Sequence, residues 1–342
     1  MLKPFAWLYR HVMAVRNHMF DSGLLKTSSF GLPVISVGNI SVGGTGKTPM
    51  CSYLLQLLYT HHHSPALLSR GYGRKTKGFI QVTPQSTAAQ VGDEPLELYK
   101  LYQSNIPVYV CENRCEGAHQ ILSDKTTDIH TLVLDDAYQH RYIHRDLNIM
   151  LTDYSRLYTL DKVMPEGRLR ESPQGASRAD IIVVTKCPDT LTATQATAIT
   201  QQLHALPHQQ VFFCAIRYAA PICPYGSEAA LNNLGALHIL IVTGIAKPAP
   251  LVNHYLAMCK SVDTMQFADH HAFNHADIER IARASQQADI VVTTSKDFQR
   301  LPTDLPQGLR EKLIVQPITI EILFNQQTKF DNLVLATAMA TH

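Results

Sequence analysis

The chain has 342 residues, 45% of them apolar and 17% charged, with a formal net charge of +2 and 17 histidines. That length favours two domains around a substantial core, and so small a net charge argues against a nucleic-acid binder whose affinity rests on a broad basic field. Seven cysteines, an odd number scattered along the chain, do not make a disulfide framework, and Cys111 and Cys115 lack a second pair to complete a zinc site; a reducing cytosol is the expected setting.

The opening MLKPFAWLYRHVMAVRNHMF lacks the apolar run and small-residue cleavage site of a signal peptide. No later segment approaches the roughly 20 apolar residues of a membrane span. At about 100° per residue, Phe5, Leu8, Val12, Val15 and Met19 share one helical face, with Pro4 in the first turn. Such a helix either packs its apolar face on the domain or lies in a membrane interface, with Trp7 at headgroup depth and Lys3, Arg10, Arg16 and Lys26 facing anionic lipid. Strands and helices then alternate. LPVISVGNI is a strand that feeds a glycine loop, PMCSYLLQLLYTHHH is the helix after it, and PALLSRG, IPVYVC, TLVLDD, LNIMLTD and DIIVVTK are further strands. Apolar strands spaced by helical segments predict a mostly parallel sheet covered on both faces. VFFCAIRYAAPICPYG leaves this first domain, and a second βα series runs from HILIVTG through VDTMQFADHH to ADIVVTTSKD. The late run KLIVQPITIEIL returns antiparallel to the outgoing stretch as the second strand of a two-stranded connector. The expected architecture is therefore α/β: a P-loop-type parallel sheet with helices on both faces and a second, smaller α/β domain. The boundaries expected are an interfacial helix over 1–28, the nucleotide-binding domain over 29–213, the smaller domain with connector strands over 214–324, and a segment returning to the first domain over 325–342.

Chemistry first shows in SVGGTGKTPM, residues 41–50. Strand, glycine loop, Lys-Thr and helix occur in the order that phosphate binding requires: backbone N–H groups freed by glycine converge on phosphate oxygens, and the helix N-terminus adds a favourable dipole. Gly43, Gly44, Thr45 and Gly46 form the cradle, Lys47 reaches the outer phosphates, and Thr48 ligates Mg²⁺. Ser41 stands where a strict Walker A loop has its first glycine, ahead of the tight glycines that do the cradling. TLVLDD ends an apolar strand in acid, which makes Asp135 and Asp136 candidates for holding Mg²⁺. TKCPD looks like a guanine-reading motif with one residue too many between Lys186 and Asp189, and TSKD at 294–297 has a closer spacing but belongs to the second domain. HHH at 61–63 is a polar helix terminus, since three adjacent side chains cannot all face one ion from a helix end.

SVGNISVGGTGKTP, LSRGYGR, GDEP, DDAYQHR, GRLRE and ADHHAF, in that order and spacing, resemble the tetraacyldisaccharide 4'-kinase family, the lipid A 4'-kinases of Gram-negative bacteria, over nearly the whole chain. Two departures are visible: Ala137-Tyr138 stands where the family usually has Gly-Phe, and Ser295 where it often has Glu. An alanine at 137 is expected to alter loop geometry if that position needs positive φ. The resemblance implies an ATP-dependent kinase that moves the γ-phosphate to the 4'-hydroxyl of tetraacyldisaccharide 1-phosphate, giving lipid IVA. It further implies a peripheral enzyme on the cytoplasmic face of the inner membrane, with a lipid substrate, a membrane surface to which the first helix docks, no nucleic-acid partner and no obligate protein partner. Carried onto this chain, Lys47 and Thr48 hold phosphate and metal with Asp135, Asp136 and Glu171. Asp93 of GDEP pairs with His270 (or its neighbour His271) to orient and deprotonate the acceptor, completed by domain closure. Arg70, Arg74, Arg114, Arg141 and Arg170, in or beside the motifs, fit the 1-phosphate or the transferring phosphate. A soluble-sugar kinase and a nucleotide-driven switch acting on a protein partner are the alternatives.

Overall fold

A computed structural model describes residues 3–102, 105–226, 228–269, 271–302 and 304–340. Among the described residues thirteen strands are formed: β1 (Val34–Gly38), β2 (Pro65–Ser69), β3 (Ile80–Gln81), β4 (Val108–Val110), β5 (Thr131–Asp135), β6 (Leu147–Asp153), β7 (Ile181–Thr185), β8 (Gln210–Tyr218), β9 (His238–Thr243), β10 (Ser261–Gln266), β11 (Ile290–Thr294), β12 (Leu313–Gln316) and β13 (Ile318–Ile322). The helices are α1 (Lys3–Asp21), α2 (Lys47–Thr60), α3 (Ala88–Val91), α4 (Asp93–Leu101), α5 (Arg114–Ser123), α6 (Ala193–Gln202), α7 (Ala249–Leu256), α8 (His275–Ala284), α9 (Ser295–Phe298), α10 (Gln307–Arg310) and α11 (Gln327–Ala338).

The chain divides into one unit of Met1–Arg217 with Thr319–His342 and another of Tyr218–Ile318. In the first, a nine-stranded sheet runs in the order β13-β8-β7-β6-β1-β5-β2-β4-β3. β1, β2, β5 and β7 are buried at every residue, as strands covered on both faces must be. β1 pairs in parallel with both β5 and β6. Those two strands are consecutive in the chain yet flank β1 on opposite sides, so the winding reverses there, and the carboxyl end of β1 opens into the crevice where doubly wound sheets bind ligands. One core layer packs α2 and Phe330 of α11 on Ile35, Val37, Leu67 and Val133; another gathers Ile40, Tyr138, Met150 and Ile182 on the opposite face.

β8 carries the chain toward the second unit and β13 brings it back, side by side at the sheet edge. The Leu323 amide donates to the Phe213 carbonyl at 2.9 Å. Because both strands belong largely to the first sheet, the division falls at 217/218 and 318/319 instead of 213/214 and 324/325. The run expected as one returning strand is two: β12 lies in the second sheet, β13 in the first, and Pro317 separates them. Proline has no N–H to give a ladder and breaks such runs. The second unit holds a four-stranded sheet, β10-β9-β11-β12, in which every adjacent pair is parallel, with Leu240, Val242, Ile278 and Leu313 in one core layer and Ile239, Ile241, Tyr255 and Ile314 in the other.

The apolar stripe of helix α1 does not pack on the domain. Phe5, Leu8, Val12 and Val15, together with Trp7, are exposed at 56–66%. The side of α1 that meets the domain buries Ala6 and Phe20 and adds polar contacts: Tyr9 donates to the Arg170 carbonyl, Arg16 to the Gln139 carbonyl and Asn17 to Glu171. Arg16, expected to face lipid, is thereby engaged with the protein. Among the described residues no helix is long and apolar enough to cross a membrane.

Candidate active site

The glycine loop emerges from β1 and ends at Gly46, which precedes α2 in the left-handed conformation (φ 87°); Gly43 is also left-handed at φ 109°. These are backbone conformations that a side chain resists, so glycine is a local requirement at both positions. The Asn39 amide donates to Thr45 Oγ1 at 2.7 Å inside the protein, and Thr185 Oγ1 donates to the Thr45 carbonyl at 2.8 Å. The loop's first residues are held by the GRLRE segment: the Val42 amide donates to the Arg168 carbonyl and the Arg170 amide to the Ile40 carbonyl, bracketing a Ser41–Leu169 bridge. Ser41 is thus an edge-pairing residue, a role that a first glycine is not needed to fill.

β5 ends beside this loop. Asp135 is buried, accepting from Ser69 Oγ at 2.9 Å and from Cys51 Sγ at 3.7 Å. Burial, then the Glu94 and Asp136 carboxylates, push its carboxyl up to about 6, against the pull of Lys47. Asp136, in left-handed backbone at φ 45°, lies between two cations: Lys47 Nζ at 3.7 Å and Arg170 NH1 at 3.0 and 3.1 Å from its two oxygens. The strained position in DDAYQHR is therefore Asp136, and Ala137 has no positive φ, so the expected disturbance from alanine does not arise. Tyr138 uses the hydroxyl that distinguishes it from phenylalanine to donate to the Gly175 carbonyl at 2.7 Å. A Cβ on Gly38 would lie 2.7 Å from Tyr138 Cβ and 2.8 Å from its backbone nitrogen, so the close approach of β1 to this loop also depends on glycine.

Two further motifs interlock. A Cβ on Gly71 of SRGYGR would meet the Val91 carbonyl at 2.8 Å, and one on Gly92 of GDEP would meet the Tyr72 carbonyl at 3.0 Å and Gly71 Cα at 3.2 Å. Gly92 turns with φ 92° into α4, whose first residues are Asp93 and Glu94. Asp93 is half-buried, and its neighbour Glu94 is close enough to act on Asp135. GDEP is thus brought to the phosphate-loop end of the sheet.

Glu171 departs from the expected metal-ligand role. Its side chain is 1% exposed, and its two oxygens take Arg178 NH2 at 2.8 and 2.9 Å, Asn17 Nδ2 at 2.9 Å and Gln139 Nε2 at 2.9 Å. With these donors in place it is a buried hub that ties α1 and the DDAYQHR loop together. The arginines divide in the same way. Arg114 is buried and donates to the Cys111, Glu112 and Asp135 carbonyls, and burial lowers its pKa to about 10, still protonated at neutral pH. Arg141 donates to the Asn17 carbonyl and Asp21 and stacks on Phe20, holding α1. Arg74 pairs with Glu112 at 2.8 Å. In the structure Arg114 is thus engaged with backbone carbonyls, its Nε left without a hydrogen-bond partner, and Arg141 with α1; Arg170 lies in the site on Asp136, and Arg70 is exposed at the end of β2. His140, half-buried among Arg114, Arg16, Arg145 and Arg70, is held down at about 4 by burial first and those charges second.

His270 lies outside the described residues. His271 is committed within the second unit: its ring nitrogen Nε2 is 2.8 Å from Asp277 Oδ2, and its ring stacks on Phe267. The loop behind it is fixed by Asp297 of TSKD, which is fully buried and accepts from Thr243 Oγ1, the Gly244 amide and Thr294 Oγ1. That motif is a loop anchor. The sequence reading missed Arg178, Asn17, Gln139 and Thr185; only Gln139 carried a signal, as part of DDAYQHR.

Comparison with known proteins gives the family. A family model described as LpxK, tetraacyldisaccharide-1-P 4'-kinase, matches residues 1–339. A tetraacyldisaccharide 4'-kinase of Bacteroides thetaiotaomicron is 44% identical over 96% of this chain and 90% of its own length, and that of Flavobacterium johnsoniae is 41% identical over 96% and 94%. Among solved structures, LpxK from Aquifex aeolicus in complex with ATP superposes with a TM-score of 0.74 at 27% identity, covering 98% of this chain and 97% of that one. A whole-length family match, relatives above 40% identity and a parallel sheet that presents a glycine loop beside paired aspartates lead to one conclusion: the chain belongs to the tetraacyldisaccharide 4'-kinase family, the lipid A 4'-kinases.

Proposed function

We propose that this kinase uses ATP with Mg²⁺ as phosphoryl donor and works on its lipid acceptor at the cytoplasmic face of the inner membrane. The observation that carries the nucleotide part is the glycine loop at the carboxyl end of β1, left-handed at Gly43 and Gly46, with Lys47 at 3.7 Å from Asp136. Lys47 and the loop amides bind the phosphates; Arg170 and Lys47 together balance the negative charge that Asp136 brings to the site. Thr48 and the two aspartates fit Mg²⁺, an ion that takes one or two carboxylates plus phosphate and water oxygens and needs no closed protein cage. Asp135 supports the fit, because among the described residues its carboxylate oxygens accept only a hydroxyl and a thiol. Glu171 joins them only by giving up one of its present donors. Held by Thr48, Asp135 and Asp136, the ion would supply neutralisation of the charge that develops on the transferring phosphoryl group. Asp93 is assigned to the acceptor hydroxyl's proton; the expectation that His270 works with it is tested by kinetics, Asp93→Ala and His270→Ala each lowering kcat with ATP binding retained.

The exposed apolar stripe of α1, with Lys3, Arg10 and Lys26 also exposed, supports docking in an interface plane, since the face held on the domain through Ala6, Tyr9, Arg16, Asn17 and Phe20 leaves Phe5, Leu8, Val12 and Val15 for lipid. The test of the whole reading is direct: purified chain, labelled ATP, Mg²⁺ and tetraacyldisaccharide 1-phosphate in detergent micelles, with product resolved by chromatography. A magnesium-dependent 4'-phosphorylated disaccharide is expected, and its absence would sink the proposal.

A further inference from the structure

Lys186 follows β7 with φ 58°, a left-handed conformation that is uncommon for a residue with a side chain. Its ammonium donates to the Gly44 carbonyl of the glycine loop and, at 2.7 Å, to Asp153 Oδ2 at the end of β6. The residue before it, Thr185, donates Oγ1 to the Thr45 carbonyl. Two consecutive residues of one strand end thus hold two consecutive carbonyls of the loop. In a trans peptide the carbonyl and the next N–H point in opposite directions. Fixing the Gly44 and Thr45 carbonyls on one side of the loop therefore fixes the N–H groups of Thr45 and Gly46 on the other, and backbone N–H groups at a helix N-terminus are what grips a phosphate. Asp153 is itself steadied by the Ser155 amide and hydroxyl at 2.8 and 2.7 Å, so it holds the ammonium in place. An ion pair that also reaches a neutral carbonyl is a stronger tether than a neutral hydrogen bond.

We propose that Lys186, braced by Asp153, is a positioning residue that presets the phosphate-binding loop for the β- and γ-phosphates of the donor nucleotide. The TKCPD segment, whose spacing fails as a guanine reader, serves the loop's backbone. This rests on the reading that ATP phosphates lie in the glycine loop, and it assigns Lys186 a share of phosphate affinity with no contact to the acceptor.

The test compares Lys186→Met, Lys186→Arg and Asp153→Asn in the full chain. Dissociation constants are measured for ATP and ADP, adenosine is read as a competitive inhibitor, and KM is measured for the lipid. Lys186→Met should weaken ATP and ADP by about tenfold or more, equivalent to at least about 1.4 kcal/mol. Adenosine and the lipid KM should be unchanged, and arginine should recover most of the loss. Equal weakening of adenosine would mean a contact to the nucleoside and would overturn the proposal, as would unchanged ATP affinity. If the methionine variant fails to fold, Asp153→Asn carries the test, with the same phosphate-selective loss expected in smaller measure. Lys47→Ala measured alongside separates the two levels: unchanged ATP affinity there would overturn the loop reading itself, whereas a loss there with none at Lys186 overturns only the positioning role.

Discussion

Glu171→Gln asks whether the GRLRE glutamate is a structural hub. The carboxylate is 1% exposed, its partner Arg178 is 14% exposed, and Arg178 NH2 bonds both oxygens at 2.8 and 2.9 Å. Glutamine keeps the shape but removes the charge, leaving a buried guanidinium whose Nε already lacks a hydrogen-bond partner and whose remaining support is the Tyr138 ring at 4.8 Å. Breaking a buried pair from one side costs about 3 to 5 kcal/mol. For a folding unit of about 150 to 250 residues, each kcal/mol moves Tm by about 2 to 4 °C, so a fall of about 6 to 20 °C is expected. The Asn17 amide also loses a charged acceptor, so limited proteolysis should cut faster in the segment after α1. The assays are thermal unfolding without nucleotide, proteolysis, and a magnesium titration of kinase activity below the variant's Tm. Stability within about 1 kcal/mol of the native chain, with a magnesium requirement raised many-fold, would refute the reasoning and return Glu171 to the metal.

Gly38→Ala places a Cβ 2.8 Å from the Tyr138 backbone nitrogen; overpacking of this kind costs about 1 to 3 kcal/mol, and denaturant unfolding should show it together with reduced turnover, because Tyr138 follows the Asp135-Asp136 pair. Unaltered unfolding would mean that β1 and the loop separate freely. His140, at about 4 in the fold against an ordinary 6.5, contributes stability that is full above about pH 6.5 and declines as pH falls toward 4. Asp135, raised to about 6 from 3.8, acts with the opposite sign: its contribution is full below about 4 and is lost as pH rises toward 6. The native chain should therefore lose stability relative to His140→Gln as pH falls from 7 to 4, and a pH-independent difference would contradict the burial argument. Changing Trp7, Leu8 and Val12 to serine should leave Tm unchanged, since all three are exposed at 56–62%. At about 1.5 to 3 kcal/mol for each apolar side chain buried in lipid, binding to anionic vesicles should drop by a hundredfold or more; retained sedimentation with vesicles would exclude this face as the membrane contact.

Much of the fold was legible because its signals are local. Apolar β-branched runs, glycines at the left-handed positions 43 and 46 and a helix from Lys47 specify the order of strands and the phosphate cradle without reference to distant residues. The split at Pro317 was legible as chemistry and missed as topology, since which sheet each half joins depends on pairing far away in sequence. The same distinction runs through the site. Lys47, Thr48, Asp135 and Asp136 declare themselves in short motifs, whereas the fates of Glu171, Arg114 and Arg141 depend on partners such as Asn17, 154 residues from Glu171.

Sequence by itself determined the α/β alternation, the glycine loop and the family, each written in residues adjacent or closely spaced along the chain. Only the tertiary structure decided which face of α1 is left to the outside, which arginines are spent on backbone, and that Lys186 stands behind the loop. A helical wheel gives an apolar stripe but not its direction, because direction is set by whether Tyr9, Arg16 and Asn17 find partners on the other side. A charged side chain announces its charge in the sequence, but its work is fixed by the acceptor that folding brings within about 3 Å.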